Sequence, residues 1–313
     1  MTSRRDDGLP RIGADEVRRR TPMPALIDAL RDAFRGDVEA PPRSVYRVSD
    51  TASLLIMPAW RNGGRSGVKI VNVDTARNPA VTADYVLSDA AGRIEAVLDG
   101  AMLTARRTAA ASALAADCLA KADASCLLMI GTGTLAPHLV EAHSSVRALE
   151  SVLIWGRNPV RTAQLADTLC AQGFAATPAD SLAAAVSRSD IVSVATTSST
   201  ALVEGRLLSS GAHVDLVGAF RPDMCEADPE TFARAEVYVD TREGALAEAG
   251  DLLQAIEAGA MTAADIRGSL AELCSGKAPG RREAGAITLF KSVGTALEDL
   301  VCAELVVDGR HAS

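Results

Sequence analysis

Gly131, Gly133 and Ala136 stand as G-x-G-x-x-A in "LLMIGTGTLAPHL", directly after an apolar run and ahead of a helix-like stretch. Each position has a physical reason. The first glycine allows a tight strand-to-helix turn, the second lets the backbone approach a pyrophosphate, and the alanine lets helix and strand pack closely, with phosphate charge at the helix N-terminus. A second apolar run, "SVLIW", follows after about 20 residues, the spacing such a site requires. The pattern predicts a nicotinamide dinucleotide site; its competitor is a two-glycine turn in a nucleotide-free α/β fold. An acid just past the second strand would bind ribose hydroxyls, whereas a cation accommodates a 2′-phosphate. Here "IWGRNPVR" supplies Arg157, with Asn158 and Arg161 beside it, which favours NADPH over NADH and leaves use of both open. A solvated basic pair at a helix start is the other reading. Thr196, Thr197 and Ser198 in "VATTSST" offer hydroxyls to the nicotinamide half, although Ser/Thr clusters also mark ordinary loops.

Three cations nearer the start suggest a second chemistry. Arg43 lies in "APPRSVY". Lys69 lies in "GVKIVNV", where a charge on a mostly apolar strand is costly without a partner. Arg107 is near the start of a helix, where it opposes the dipole, so local stability does not explain it. Together they could clamp a carboxylate, a guanidinium giving bidentate geometry and an ammonium a movable point charge. Spacing leaves their convergence open, and each alone also fits a structural or surface cation. In "GAFRPDMCEAD", Phe220 and Arg221 should stand just past a strand's carboxyl end, where ligands bind in open α/β sheets. Arg221 reads as a surface or cofactor-edge cation. Asp223, Glu226 and Asp228 form either a small acidic cluster or helix-start acids. His138, His143, His213 and His311 lack metal spacing, and no P-loop, G-x-S-x-G or H-E-x-x-H is present; His138 reads as a helix residue.

The elements that must position these groups fall into two patterns. At 313 residues the chain suits two domains. The first third runs strands together ("ASLLIMPAW", "SGVKIVNV", "AVTADYVLSD") after a helix-like "ADEVRRRTPMPALIDALRDAF", which predicts an α+β unit. The Ala-rich "DGAMLTARRTAAASALAADCLA" is a long helix. From Ala124, the runs "SCLLMI", "SVLIW", "DIVSVAT", "HVDLVGA" and "AEVYVD" alternate with amphipathic stretches, the signature of a doubly wound parallel sheet. "DLLQAIEAGAMTAADIRGSLAELCSGK" reads as helical and "AITLFKSVGTALEDLVCAELV" as a short run into a helix. The expected boundaries are residues 122–289 for the Rossmann domain, with 1–121 and 290–313 forming the other. A net charge of −8 opposes nucleic-acid binding. Six scattered cysteines read as reduced packing thiols, consistent with a cytoplasmic protein. The first residues lack the apolar core of a secretory signal, and the longest charge-free run, Ala124–Val140, is broken by Gly131, Gly133 and Pro137, so no membrane span is expected.

The motifs "PPRSVY", "MPAW", "GVKIVNV", "LDGAMLTARRTAAASALAA", "GTGTLAPH", "VATTSST", "HVDLVGA" and "ITLFKSVGTALED" together resemble the ornithine cyclodeaminase/μ-crystallin family across nearly the whole chain. The resemblance implies a substrate and dimerisation domain completed by the C-terminal helix, a Rossmann domain and a homodimer. It assigns Arg43, Lys69 and Arg107 to a substrate carboxylate, and the residues assigned to the nucleotide are completed by Thr104, Thr134, Gly218 and Ser292. Family activities include ornithine cyclodeamination, alanine dehydrogenation and ketimine reduction. Where cyclodeaminases carry G-x-D, with an Asp used in the amine chemistry, this chain has "GAF". Phe220 therefore argues for the subgroup that reduces Δ1-pyrroline-2-carboxylate and its six-membered homologue, lining an apolar wall. Cys225, beside the family's acidic Glu226, stands where Arg is more usual. The implied activity is NADPH-preferring reduction of a cyclic imino acid, with Lys69 the proton donor and Ser292 the alternative. NAD-dependent ornithine cyclodeamination, alanine dehydrogenation and a non-catalytic nucleotide-binding protein are the other readings.

Overall fold

The computed structural model describes residues 9–36, 38–74, 76, 77 and 81–309; His311 and the first eight residues lie outside the described residues. Close contacts divide the chain into two compact units, one comprising Met1–Ala29, Gly36–Arg107 and Thr295–Ser313, the other Leu30–Arg35 and Thr108–Gly294. The division falls inside the long helix Gly100–Leu119, ahead of the boundary near residue 121 expected from sequence.

The first unit is built on a sheet of β1 (Arg11–Ile12), β2 (Val38–Glu39), β3 (Ser44–Arg47), β4 (Ala52–Arg61), β5 (Ser66–Asp74), β6 (Val81–Ser88) and β7 (Ile94–Asp99). Their order is β1-β7-β6-β5-β4-β2, with β3 also paired to β4; each neighbouring pair from β4 to β7 is antiparallel. Alternation decides which face is covered. Met57, Lys69 and Tyr85 lie opposite one another across β4, β5 and β6, and all are buried. The C-terminal helix Ala296–Asp308 packs against these three strands. Lys69 thus projects from the buried face, among apolar neighbours. The helix-like stretch expected over 14–34 is two helices, Ala14–Arg20 and Met23–Arg35. Pro22 disfavours helical geometry at the residue before it, and the Thr21 hydroxyl donates back to the Val17 carbonyl at 2.8 Å.

The second unit carries β8 (Cys126–Ile130), β9 (Ser151–Trp155), β10 (Ala176–Pro178), β11 (Ile191–Val194), β12 (Ser199–Val203), β13 (His213–Leu216), β14 (Cys225–Ala227), β15 (Ala235–Val239), β16 (Ile266–Ser269) and β17 (Ile287–Lys291). Eight of these form a wholly parallel sheet ordered β10-β9-β8-β11-β13-β17-β15-β16, and β12 pairs with β14. Helices cover parallel sheets on both faces, which is why "CLLMI" is apolar throughout and "IVSV" apolar but for Ser193. The strand order reverses between β8 and β11, the crevice where such sheets bind ligands. Two sequence expectations change here. The stretch 266–269, read as helical, is strand β16, and "ITLFK" is an interior strand that pairs with β13 and β15 and runs across residue 290, the expected domain boundary.

Polar side chains also enter this sheet. His213 Nδ1 lies 3.0 Å from Thr288 Oγ1, whose own proton goes to the Leu119 carbonyl at 3.0 Å, so Nδ1 carries the imidazole hydrogen. Ser193 Oγ donates to Asp215 Oδ2 at 2.7 Å, and His143 Nε2 is 3.2 Å from the same oxygen. Burial pushes the His213 pKa down to about 3. The unfolded chain therefore takes up this proton near 6.5 while the folded chain refuses it, and stability is lost as pH falls from 6.5 towards 3, by about 1.4 kcal/mol per unit within that window. His213→Asn, which keeps a donor for Thr288, should show a smaller fall in Tm between pH 7 and 4.5 than the parent. Equal falls in thermal melts would exclude His213 as the acid-labile group.

Candidate active site

At the end of β8 the chain turns through Gly131, which has φ +115 and donates its N–H to the Trp155 carbonyl at 2.9 Å. A Cβ there would stand 2.4 Å from the Ala195 carbonyl oxygen, so packing demands this glycine. Gly133 differs. Nothing lies within 4 Å of an added Cβ and φ is not in the left-handed region, so neither packing nor conformation demands it. A ligand in contact with the backbone would. The helix Ala136–Ser144 that follows has no side-chain cap and no acid in its first turn, so the positive end of its dipole suits an anion, while Ala136 N–H itself goes to the Gly133 carbonyl at 3.1 Å. Exposed Thr134 lies in the turn, and Ala136 is buried against the strand. These features suit a dinucleotide pyrophosphate.

Past β9, Gly156 is pressed against Thr132 and Thr162, and Arg157 and Arg161 are exposed. Asn158 is the N-cap of helix Pro159–Ala171: its Oδ1 accepts from Val160 and Arg161 N–H at 3.0 and 3.1 Å. The capping role accounts for Asn158 without a ligand. Among the hydroxyls after β11, Thr197 is exposed, but Ser198 Oγ donates to the Thr200 carbonyl at 2.7 Å. Thr196 is engaged inward, donating through N–H (2.6 Å) and Oγ1 (2.8 Å) to Glu226 Oε1.

Gly218 follows β13 and has no room for a side chain, because a Cβ would meet Glu226 Oε1 and the Thr196 carbonyl oxygen at 2.3 Å each. Ala219 has φ +50, and Phe220 is 45% exposed at the turn. Ser292 is buried, its N–H on the Leu216 carbonyl at 3.2 Å. The three nearby acids do not form one cluster. Asp223 pairs with Arg221 in an exposed bidentate contact at 3.0 Å, Asp228 caps helix Pro229–Arg234, and Glu226 is fully buried. Cys225 is buried, its thiol pushed up to about 12 by burial and Asp251.

In the first unit, Lys69 and Arg107 converge on one carboxylate. Asp299 Oδ1 accepts from Lys69 Nζ and Arg107 Nε, each at 2.9 Å, and Asp299 Oδ2 lies 2.8 Å from Lys69 Nζ. Arg107 Nη1 reaches Glu298 Oε2 at 2.6 Å, and Thr104 Oγ1 stands 3.4 Å from Lys69 Nζ. All four charged side chains are buried. Burial pushes the Lys69 ammonium down to about 8; Asp299 opposes that fall, while the Arg107 and Arg43 charges add to it. Arg43, half-buried ahead of β3, is thus within electrostatic reach of Lys69. Arg107 is held charged, since Asp299 and Glu298 outweigh its desolvation. Within this group two carboxylates, Asp299 and Glu298, face two cations, Lys69 and Arg107. Thr104, grouped from sequence with the nucleotide, lies beside Lys69.

Glu298 and Asp299 were missed. As the first-turn acids of "TALEDLV", they have an ordinary dipole explanation. The available signal was their apolar setting: Leu297, Leu300 and Val301 crowd both sides, unusual company for two carboxylates unless they are paired.

A Rossmann sheet with a Gly-rich turn, in one chain with an α+β unit that buries paired cations, defines a dinucleotide-binding protein. The sequence profile of the ornithine cyclodeaminase/mu-crystallin family matches residues 13–313, and the chain belongs to that family. The Δ1-pyrroline-2-carboxylate reductase of Colwellia psychrerythraea is 35% identical over 310 residues, 95% of this chain and 98% of that one. The structure of the Thermococcus litoralis Δ1-pyrroline-2-carboxylate reductase in complex with NADH and L-proline is similar with a TM-score of 0.92 and 30% identity, covering 97% and 98% of the two chains. An archaeal alanine dehydrogenase dimer with bound NAD gives a TM-score of 0.90 at 27% identity, covering 97% and 96%. Among the described residues no helix is long and apolar enough to cross a membrane, and no cluster of His, Cys, Asp or Glu could hold a metal.

Proposed function

We propose that this chain reduces the cyclic ketimine Δ1-pyrroline-2-carboxylate to L-proline with NADPH in preference to NADH, and also takes Δ1-piperideine-2-carboxylate to L-pipecolate. The observation that carries the reading is Lys69: a buried ammonium with a pKa near 8, beside the Arg107 guanidinium, is both an anion contact and a proton donor at neutral pH. Arg43 and Arg107 hold the substrate carboxylate, and Lys69 or a water it orients keeps the imine nitrogen protonated. A nicotinamide held at the Rossmann turn would supply the hydride for the imine carbon. One imine, one NADPH and one proton give one amine and one NADP⁺. Phe220 supplies apolar surface where deamination would need a carboxylate. The Rossmann turn at Gly131, Gly133, Thr134 and Ala136 binds the pyrophosphate, with Thr197 and Ser292 towards the nicotinamide end.

The deciding assay offers purified protein each cyclic imine with NADPH or NADH, and separately pyruvate with ammonia, or L-ornithine with NAD. NADPH oxidation dependent on either imine is expected; ammonia release from ornithine without imine reduction would replace this reading with cyclodeamination. Arg157→Ala should raise the KM for NADPH by about tenfold or more, with little change for NADH, because only the former carries the 2′-phosphate. Equal effects would remove Arg157 from cofactor choice.

We place a second copy of this chain on the open face of the first unit's sheet, where Leu54, Ile56, Pro58, Trp60, Val68 and Ile70 are only partly covered. The protein acts in the cytoplasm.

A further inference from the structure

Beneath the strand ends of the second unit lies a buried ionic group that the reduction chemistry above does not use. Lys291, the last residue of β17, is fully buried; its Nζ donates to the carbonyls of Gly218 and Leu216, the latter at 3.4 Å, and lies 3.3 Å from Asp251 Oδ2. Asp251, at the start of helix Gly250–Glu257, turns Oδ1 to the N–H groups of Glu226 (2.5 Å) and Ala227 (3.3 Å). Glu226 in turn takes both hydrogens of Thr196. One connected set of side chains thus ties together the ends of β11, β13 and β17, strand β14 and a helix start.

The tie acts on the turn that carries Phe220. Gly218 offers its carbonyl to Lys291, and Ala219 offers its carbonyl to Gly250 N–H at 2.9 Å. Gln254 Nε2 holds the Pro222 and Met224 carbonyls, each at 3.0 Å. Ala219 is the described non-glycine residue with positive φ, a conformation that persists when surrounding bonds enforce it. A buried lysine is a poor choice if only strand packing is needed, since an apolar side chain would fill the space without desolvating a charge. It earns its place by reaching the carbonyls of a turn that hydrophobic contact cannot grip.

We propose that Lys291, held by Asp251, is a positioning residue for imine reduction: by fixing the Gly218 carbonyl it sets the Ala219–Phe220 turn and thereby the discrimination between five- and six-membered imines. The proposal rests on the reductase reading, and the same assays separate the two. A parent protein that reduces neither imine overturns the reductase reading, whereas an active parent whose variants keep its ring preference overturns this one.

Lys291→Met alone leaves Asp251 buried without its cation, so the test uses Lys291→Met with Asp251→Asn, which removes both charges and keeps Oδ1 as acceptor for Glu226 and Ala227. Circular dichroism and thermal melts establish folding, and NADPH fluorescence gives the nucleotide Kd. The expected result is a folded protein with nearly the parent Kd, a kcat lowered by about tenfold to a hundredfold, and a changed ratio of kcat/KM for the two imines. Gln254→Ala, a partly exposed change that spares the core, tests the turn from its other side. It should alter the same ratio in the same direction, by roughly threefold, with unchanged NADPH binding. Parent ratios in both variants would overturn the assignment, as would a loss appearing wholly as weaker NADPH binding. If the double variant does not fold, Gln254→Ala decides alone: a shifted ratio supports the positioning role and a parent ratio rejects it.

Discussion

Arg107→Ala is expected to lower kcat/KM for the cyclic imine by roughly a thousandfold, about 4 kcal/mol, the scale measured when one partner of a buried charge pair is truncated. The loss has two sources. One is the guanidinium contact to the substrate carboxylate. The other is internal: Arg107 Nε and Nη1 now serve Asp299 and Glu298 at 2.9 and 2.6 Å, and its removal leaves two buried carboxylates facing one ammonium. Uncompensated buried charge destabilises by about 3–5 kcal/mol, so Tm should fall as well. Arg107→Lys separates the sources. It retains positive charge for the acids but loses the fork that grips a carboxylate bidentately, so it should recover most of the melting temperature and little of kcat/KM. Because the nucleotide turn belongs to the other unit, NADPH affinity measured by fluorescence should stay at the parent value in both variants. A parent-like kcat/KM in Arg107→Ala would remove Arg107 from the site.

Elements with local signals were legible from sequence, and groups whose partners lie far along the chain were not. The strand "CLLMI" and the turn after it announce themselves through a buried apolar run ended by glycines, and the structure sets Gly131 at φ +115 in that turn. Lys69 was also legible as a problem, a charge on a buried strand needing a partner, but its partner is 230 positions away in Asp299. No local pattern joins them. Arg107 was read as a cation near a helix start, but the structure sets it as the eighth residue of helix Gly100–Leu119, beyond the first turn where the dipole acts, and the acids 191 and 192 positions on that explain its burial had no local signal. In "GAFRPDMCEAD" three acids within six residues read as either a cluster or helix-start acids, and the structure makes them a surface pair, a buried acceptor and, for Asp228, a helix cap. Strand β17 was read only as a short run before a helix, and nothing local in "ITLFK" shows the Asp251 carboxylate that lies beside buried Lys291.

Asp299→Asn should change the pH dependence in a way that no general lesion would reproduce. Lys69 must be protonated to serve the imine nitrogen, so parent activity should fall as pH rises through about 8. Asp299 holds that pKa up against burial and against the charges of Arg107 and Arg43. Asparagine keeps an acceptor for Arg107 but withdraws the charge, and the Lys69 pKa should fall by about one unit or more, the usual effect of an opposite charge at this range. The alkaline limb of kcat/KM therefore moves down by the same amount, and above both pKa values the variant should lag the parent by about tenfold or more. At low pH, where Lys69 is protonated in both proteins, the effect on binding has the opposite sign. Removing Asp299 takes a negative charge from beside Lys69 and Arg107, so a substrate carboxylate meets less competition for these cations and its KM should drop. A lower KM near pH 6 combined with an earlier alkaline loss marks Asp299 as the group that keeps Lys69 charged while competing with the substrate for the same cations. An unmoved limb in a full pH profile of kcat/KM would mean that the proton reaches the imine from another donor, with Ser292 the next to test.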